Sequence, residues 1–459
     1  MRRIAAFLLI LAAFSLQKLD AQQINYPIPL KEIADNARLG CFGGLDCIPS
    51  IQFPTMVPAN VATYVQDDDM IMGVNIDGIQ KAYPVNSLWF HEIANDNINS
   101  KYYAVCYCPL TRTAINVKTE KDGKRFELGV SGLLFNNNLI MYNRTNSVAP
   151  NYIFYPQMYF TAISGPEFGK QLELLPVTMS TWKAWKTLFP KTLVVGPQFY
   201  EVGSSYPYGD YRTNDRNFIF PQWVDPRRRA KELVFGVTSK NFKAKAYPFA
   251  DMAPDAVIND VFDGEKVVIF FDEAAQLAIG FDPTSIQGHD ILTFQLLSNA
   301  TLNRFARDRE TGSEWNIMGE AVSGPLAGQQ LHQLERAYSG FWFAWAAYFK
   351  PIEIFSGSTT PVEDDGSPSN LPASFTLEQN YPNPFNPETL IRFYLPQRSK
   401  VKLEILSILG ETVATLAVGE KAPGWHSVRW NPGNAPAGTY LYRLTAGNFS
   451  QIRKMVFLK

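Results

Sequence analysis

Apolar and polar positions along this chain alternate in short runs more often than they recur at helical spacing. Met70 to Val74, Tyr102 to Tyr107 and Val267 to Phe271 are rich in β-branched and aromatic residues, which predicts strands. Val85 to Ala94 has apolar spacing closer to a short helix. Thr181 to Phe189 predicts another, opened by Ser180 or Thr181 as a cap and stopped by Pro190. The dense run Phe341 to Phe349 suits a core helix. Near the C-terminus the pattern becomes regular. Thr389 to Leu395, Val401 to Leu409, Ser427 to Trp430, Tyr440 to Ala446 and Gln451 to Leu458 read as strands, with turns at Pro423-Gly424, Asn431-Pro432-Gly433 and Ala437-Gly438. That series predicts a small immunoglobulin-like β-sandwich.

The middle of the chain repeats itself. Gly73-Val74, Lys81-Ala82-Tyr83-Pro84 and Asn95-Asp96 return as Gly236-Val237, Lys245-Ala246-Tyr247-Pro248 and Asn259-Asp260, at an offset of 163 or 164 residues. Ser164-Gly165-Pro166 with Gly169 returns as Ser323-Gly324-Pro325 with Gly328, and Trp182/Trp185 as Trp342/Trp345. Ordered matches of this kind predict a duplicated unit, 71–195 and 234–355, forming two lobes about a pseudo-two-fold axis. Around them lie an irregular opening segment (22–70), a crossing between lobes (196–233), a linker of Ser, Thr, Gly, Pro and acid (356–374) and the sandwich (375–459). The expected fold class is α+β and β-dominated.

Composition changes this picture little. The chain has 459 residues, 46% hydrophobic and 14% aromatic, enough for two to three folded domains. A net charge of −1 gives no electrostatic footprint for nucleic acid. Arg227-Arg228-Arg229 reads as a solvated loop. Residues 1–21 have the form of a signal peptide: Arg2 and Arg3, an uncharged apolar stretch from Ile4 to Leu16, and a cut expected at Ala21/Gln22. No later run predicts a transmembrane span, so the mature chain is expected to be exported through the periplasm and to be secreted or held at the cell surface.

Export bears on the four cysteines. Cys41 and Cys47 flank a segment with two glycines, which lets a small ring close, and a disulfide there is worth roughly 2 kcal/mol. Cys106 and Cys108 stand two apart in a predicted strand, about 7 Å between Cα atoms, too far to bridge without a turn. Their pairing stays open. Other candidates are weaker. Gly129-Val130-Ser131-Gly132-Leu133 is not a nucleophile elbow. Asp67-Asp68-Asp69 reads as a solvated acidic loop, and no phosphate-cradling glycine loop is present. His289, His332 and His426 have no cysteine near them in sequence.

Leu377 to Pro387 contains Tyr381-Pro382-Asn383-Pro384-Phe385-Asn386-Pro387. With Leu409-Gly410-Glu411, Gly424-Trp425-His426, Ala437-Gly438-Thr439-Tyr440 and Lys454-Met455-Val456, it resembles the type IX secretion (type A) sorting domains. The resemblance implies recognition by the type IX machinery, with cleavage or surface attachment afterwards. Its proline-rich opening is expected to lie extended across the sandwich.

The repeated unit resembles a second family. Lys81-Ala82-Tyr83-Pro84, His91-Glu92-Ile93-Ala94-Asn95-Asp96, Tyr107-Cys108-Pro109-Leu110 and Val130-Ser131-Gly132-Leu133 are similar to the bacterial domain of unknown function 3179, over roughly 45–355. This resemblance implies an architecture and no reaction. The family's second cysteine position holds Thr111 here. Its Asp-Arg-x-Thr-Gly-Ser-x-Trp element survives only as Asp308 to Trp315. At the repeat offset His91, Cys106 and Cys108 face Asp255, Phe270 and Asp272, so the reactive residue types belong to the first copy alone. Three readings of His91, Cys106 and Cys108, with Glu92 beside them, stay open. They form a copper or zinc site, a thiolate–imidazole catalytic site, or a set of structural residues. The leading functional class is an exported binding or structural protein; the alternative is a metal carrier or enzyme centred on Cys108 and His91.

Overall fold

The computed structural model describes residues 26–145, 151–200, 206–252, 255–355 and, near the C-terminus, 375–377, 380, 385, 389–408, 410–421, 424–433, 435–447 and 449–458. The expected signal peptide, the linker, and Tyr381, Pro382, Asn383, Pro384, Asn386 and Pro387 lie outside the described residues.

The chain is β-dominated, and its central part folds twice by one plan. In the first copy the strand order is Thr178–Thr181, Met70–Ile76, Ile79–Pro84, Leu193–Val195, Met56–Pro58; in the second it is Ala337–Phe341, Leu233–Thr238, Ala244–Pro248, Ile352–Ile354. Both sheets close with a parallel pair, Lys81 opposite Leu193 and Ala244 opposite Ile352. A second sheet in each copy is a meander, Ile93–Ile98, Lys101–Cys108, Thr113–Lys118 against Asp255–Phe262, Glu265–Asp272, Leu277–Asp282. Register is kept to the residue: Ile93 pairs with Cys106, and Val257 with Phe270.

The repeated sequence words build this scaffold. Tyr83 and Lys81 both reach Asp96 (2.6 and 2.7 Å), and Tyr247 and Lys245 reach Asp260 (2.7 and 2.6 Å). Asn95 clips the backbone of Leu128 with two hydrogen bonds (2.8 and 2.9 Å), as Asn259 clips Phe294. Each clip satisfies a backbone donor and acceptor of the neighbouring sheet. The glycines are needed because an indole lies on them. A Cβ on Gly73 would stand 2.3 Å from Trp185, and one on Gly236 2.2 Å from Trp345.

The two copies share an apolar core. It holds Cys106, Cys108 and Tyr159 from the first and Phe242, Trp345 and Tyr348 from the second. Their contact obeys the pseudo-two-fold axis. Phe341 N donates to Thr111 O (2.9 Å), and Thr181 N to Ala275 O (3.0 Å). Thr111 and Ala275 are repeat equivalents. So are Arg112 and Gln276, which meet each other, Arg112 Nη2 donating to Gln276 Oε1 at 2.9 Å.

Some expectations need correction. The helix expected over Val85 to Ala94 spans only Val85–Leu88, because Ile93 and Ala94 pair into the second sheet. Trp182–Leu188 is helical as expected, with the Thr181 side chain accepting from Ala184 N. Arg227 and Arg229 are exposed, as a solvated loop requires, and Arg228 is half-buried. They pair with Asp225, with Glu232 and Asp251, and with Asp215, fastening the crossing segment. In the C-terminal part, two sheets enclose one apolar core. The exposed strand Thr412–Lys421 was not expected from its sequence. Phe385 is buried there, its N–H bonding to Val456 O (2.9 Å).

Gly236→Ala is expected to lower stability by ~1–3 kcal/mol, the cost of overpacking a filled core, measured by urea unfolding. An unchanged midpoint would contradict this account of the repeated glycine.

Candidate functional site

The chemistry found only in the first copy gathers where the strand Lys101–Cys108 ends. Side chains two apart on a strand share a face, so Cys106 and Cys108 both enter the shared core. Ile93 pairs with Cys106, and Glu92 comes immediately before it. Glu92 N donates to Leu88 O (2.9 Å), ending the short helix, and its own carbonyl accepts from Tyr107 N (2.7 Å). To make both bonds Glu92 adopts φ 55°, a left-handed backbone that costs a non-glycine residue about 1–2 kcal/mol.

The Glu92 side chain is 4% exposed. Among the described residues its carboxyl has no hydrogen-bond partner and no ion pair. It lines a cavity of about 60 Å³ whose other walls include Ile48, Leu110, Val130, Leu139, Ile219 and Tyr208. Burial pushes this carboxyl up to about 8, so it is largely protonated at neutral pH. Burial, and then the Glu92 charge nearby, push the Cys108 thiol up to about 11, and burial raises Cys106 as well. Neither thiol is a thiolate at neutral pH. The repeat equivalent of Glu92 is Ala256, an apolar core residue.

One wall of the cavity is the disulfide loop. Cys41 and Cys47 are bridged, their Cα atoms 6.5 Å apart, and Cys41 lines the cavity. Gly40 N donates to Gly132 O (2.6 Å) and Asp46 N to Val130 O (2.8 Å). Gly132 has φ 77°, and a Cβ there would stand 2.7 Å from Gly44 O and 3.1 Å from Cys41 Sγ. Only glycine lets the loop approach this closely.

The crossing segment forms a roof. Tyr206 OH donates to Pro109 O (2.8 Å), and Asn137 exchanges two hydrogen bonds with Phe220 (3.0 and 3.2 Å). The Arg212 guanidinium lies 3.8 Å from the Tyr206 ring centre. Lys231 Nζ sits 3.2, 4.2 and 4.5 Å from the ring centres of Tyr211, Phe218 and Phe343, and burial pushes its amine down to about 7. Among the described residues, Lys231 Nζ, Tyr211 OH, Tyr107 OH, and Arg212 Nε and Nη2 are buried here without a hydrogen-bond partner. In the sequence this roof is marked by the closely spaced Tyr206, Tyr208 and Tyr211.

The metal set expected from the sequence is not formed. His91 is half-buried, its Nδ1 2.7 Å from Pro49 O and its ring against Phe199. Both thiols face the core. Among the described residues no group of three His, Cys, Asp or Glu side chains could hold a metal ion. What the structure brings together instead is Glu92, Cys108 and Tyr208.

Two outcomes follow from these environments. An unfolded glutamate loses its proton near 4.5, whereas folded Glu92 keeps it to about 8. Between those values the native state holds one more proton, so this residue's contribution to stability falls as pH rises, by ~1.4 kcal/mol per unit. The stability of Glu92→Gln relative to wild type should therefore climb across that window and level off above it, measured by urea unfolding; a constant difference would contradict the buried neutral acid. Cys106 and Cys108 should react with iodoacetamide at neutral pH only as fast as the protein unfolds. Rapid labelling of either by mass spectrometry would contradict their burial.

Two family models match the chain. Residues 45–352 match the family model described as "Protein of unknown function (DUF3179)". Residues 379–458 match "Secretion system C-terminal sorting domain", which indicates type IX export to the cell surface or the medium. No curated protein matches the chain. Among solved structures, PorZ, a surface component of the type IX secretion system of Porphyromonas gingivalis, is 12% identical. That match covers 89% of this chain and 59% of PorZ, with a TM-score of 0.14. Among the described residues no helix is long and apolar enough to cross a membrane. This protein therefore belongs to the DUF3179 family, whose match covers most of the chain, and carries a C-terminal secretion sorting domain.

Proposed function

We propose that the chain is an exported binding module whose site is the Glu92 cavity of the first lobe, the second lobe serving as its buttress. The sorting domain engages the type IX machinery, which leaves the protein secreted or at the cell surface. The observation that carries the reading is Glu92 itself. It combines a left-handed backbone, a buried carboxyl and no partner of its own, and each of these costs stability. A residue that burdens the fold in three ways, at a position where the other lobe has alanine, is explained by something it binds. The alternative of a thiolate enzyme or metal carrier has less support, because burial holds both thiols protonated and, among the described residues, no group of three His, Cys, Asp or Glu side chains could hold a metal ion.

The test is a thermal-unfolding panel on the full chain with methylammonium, acetamide, acetate and ethanol, four small probes of different chemistry. At least one should stabilise the wild type and have no such effect on Glu92→Leu or Glu92→Met. Four flat responses would overturn the cavity as a binding site.

A further inference from the structure

The chemistry of the cavity narrows its guest. We propose that it binds the terminal ammonium group of a short primary alkylamine, held against the Glu92 carboxylate; this rests on the cavity being a binding site at all.

Charge points to a cation. Buried carboxylates are normally matched by a lysine, an arginine or a set of backbone N–H donors. Glu92 has none of these among the described residues. The titratable groups facing it are the Cys108 thiol, from the strand below, and the Tyr208 phenol, from the roof. Both are pushed up and stay neutral through the range where Glu92 titrates. Lys231 lies towards Cys108, boxed in by aromatic rings, and its own acid is Asp215. The countercharge for Glu92 is therefore left to come from outside the chain.

Shape and lining point to an alkylammonium in particular. A metal ion needs several oxygen, nitrogen or sulfur ligands, and Ile48, Leu110, Leu139 and Ile219 offer only hydrocarbon. A cavity of about 60 Å³ has room for more than one water, so a small cation with a short stem can enter it. A quaternary ammonium has no N–H to give the carboxylate. A primary ammonium with a one- or two-carbon stem donates to Glu92, faces the Tyr208 ring and lays its methylenes on the apolar wall. The exposed Gly40 and Ile219 at the rim leave an entrance for it.

Proton balance follows directly. Below about 8 the empty cavity holds Glu92 as the neutral acid. When an ammonium ion binds, that proton passes to solvent and the ion pair remains. When a free amine binds, the same proton moves onto its nitrogen. No bond other than that to the proton is made or broken.

The experiment is calorimetric titration of the full chain with methylammonium and ethylammonium chloride, in buffers of different ionisation enthalpy, with tetramethylammonium, acetamide and sodium chloride as controls. Expected are binding of the two primary ammonium ions alone, release of about one proton per ion at neutral pH, and an affinity rising about tenfold per pH unit until Glu92 is ionised. Glu92→Gln, which keeps the shape, should lose at least tenfold in affinity and release no proton. Primary ammonium ions that do not bind, or that bind without proton release, would overturn the proposal. If acetamide binds in their place, the amine assignment falls while the cavity remains a binding site; if no probe binds, both fall.

Discussion

The architecture depends on two indole rings, each seated on a glycine of its own sheet, and on the face that this packing creates. Trp185 on Gly73 and Trp345 on Gly236 set how close each short helix lies to its strands. The segments leading into those helices then exchange hydrogen bonds across the pseudo-two-fold axis, Phe341 with Thr111 and Thr181 with Ala275. Thr111 belongs to the turn that follows Cys108. The lobe contact thus fixes the end of the strand on which the first lobe's distinctive chemistry stands, and with it the Tyr107 amide that holds Glu92.

A rigid duplicated frame explains how an unfavourable group persists. The repeated residues are engaged in structure: Asp96 and Asp260 with their lysine and tyrosine partners, Asn95 and Asn259 with a neighbouring backbone, the tryptophans with the glycines. In the first lobe Glu92, Cys108 and Gly132 stand around an acid-lined cavity under a disulfide loop. Stability supplied by one copy lets the other carry a strained, partnerless carboxyl.

The scaffold was legible in the sequence because it is written twice. The repeat offset located the matching strands, and the glycine spacing around Cys41 and Cys47 anticipated their bridge. The site was less legible. Cys106, Cys108 and His91 drew attention as ligand types, but strand alternation sends the thiols into the core, while the turn after Leu88 leaves His91 half-exposed against Pro49. Their neighbour Glu92 proved more informative, and nothing in its local sequence signals a left-handed backbone or a missing partner. The roof from Tyr206 to Lys231 lacks periodicity because irregular segments are fixed by side-chain contacts such as Asn137 with Phe220, which no spacing rule encodes. The strand Thr412–Lys421 is not legible in the sequence because it is largely exposed and has few large apolar residues to mark it.

The central claim is that the first lobe keeps a buried carboxyl neutral and uncompensated until a guest arrives. Carbon-13 NMR of the Glu92 side-chain carboxyl, assigned by its disappearance in Glu92→Gln and followed through a pH titration of the ligand-free protein, tests this most directly. The account predicts a midpoint near 8. A midpoint at the ordinary 4.5 would mean that Glu92 is solvated or paired, and would contradict it.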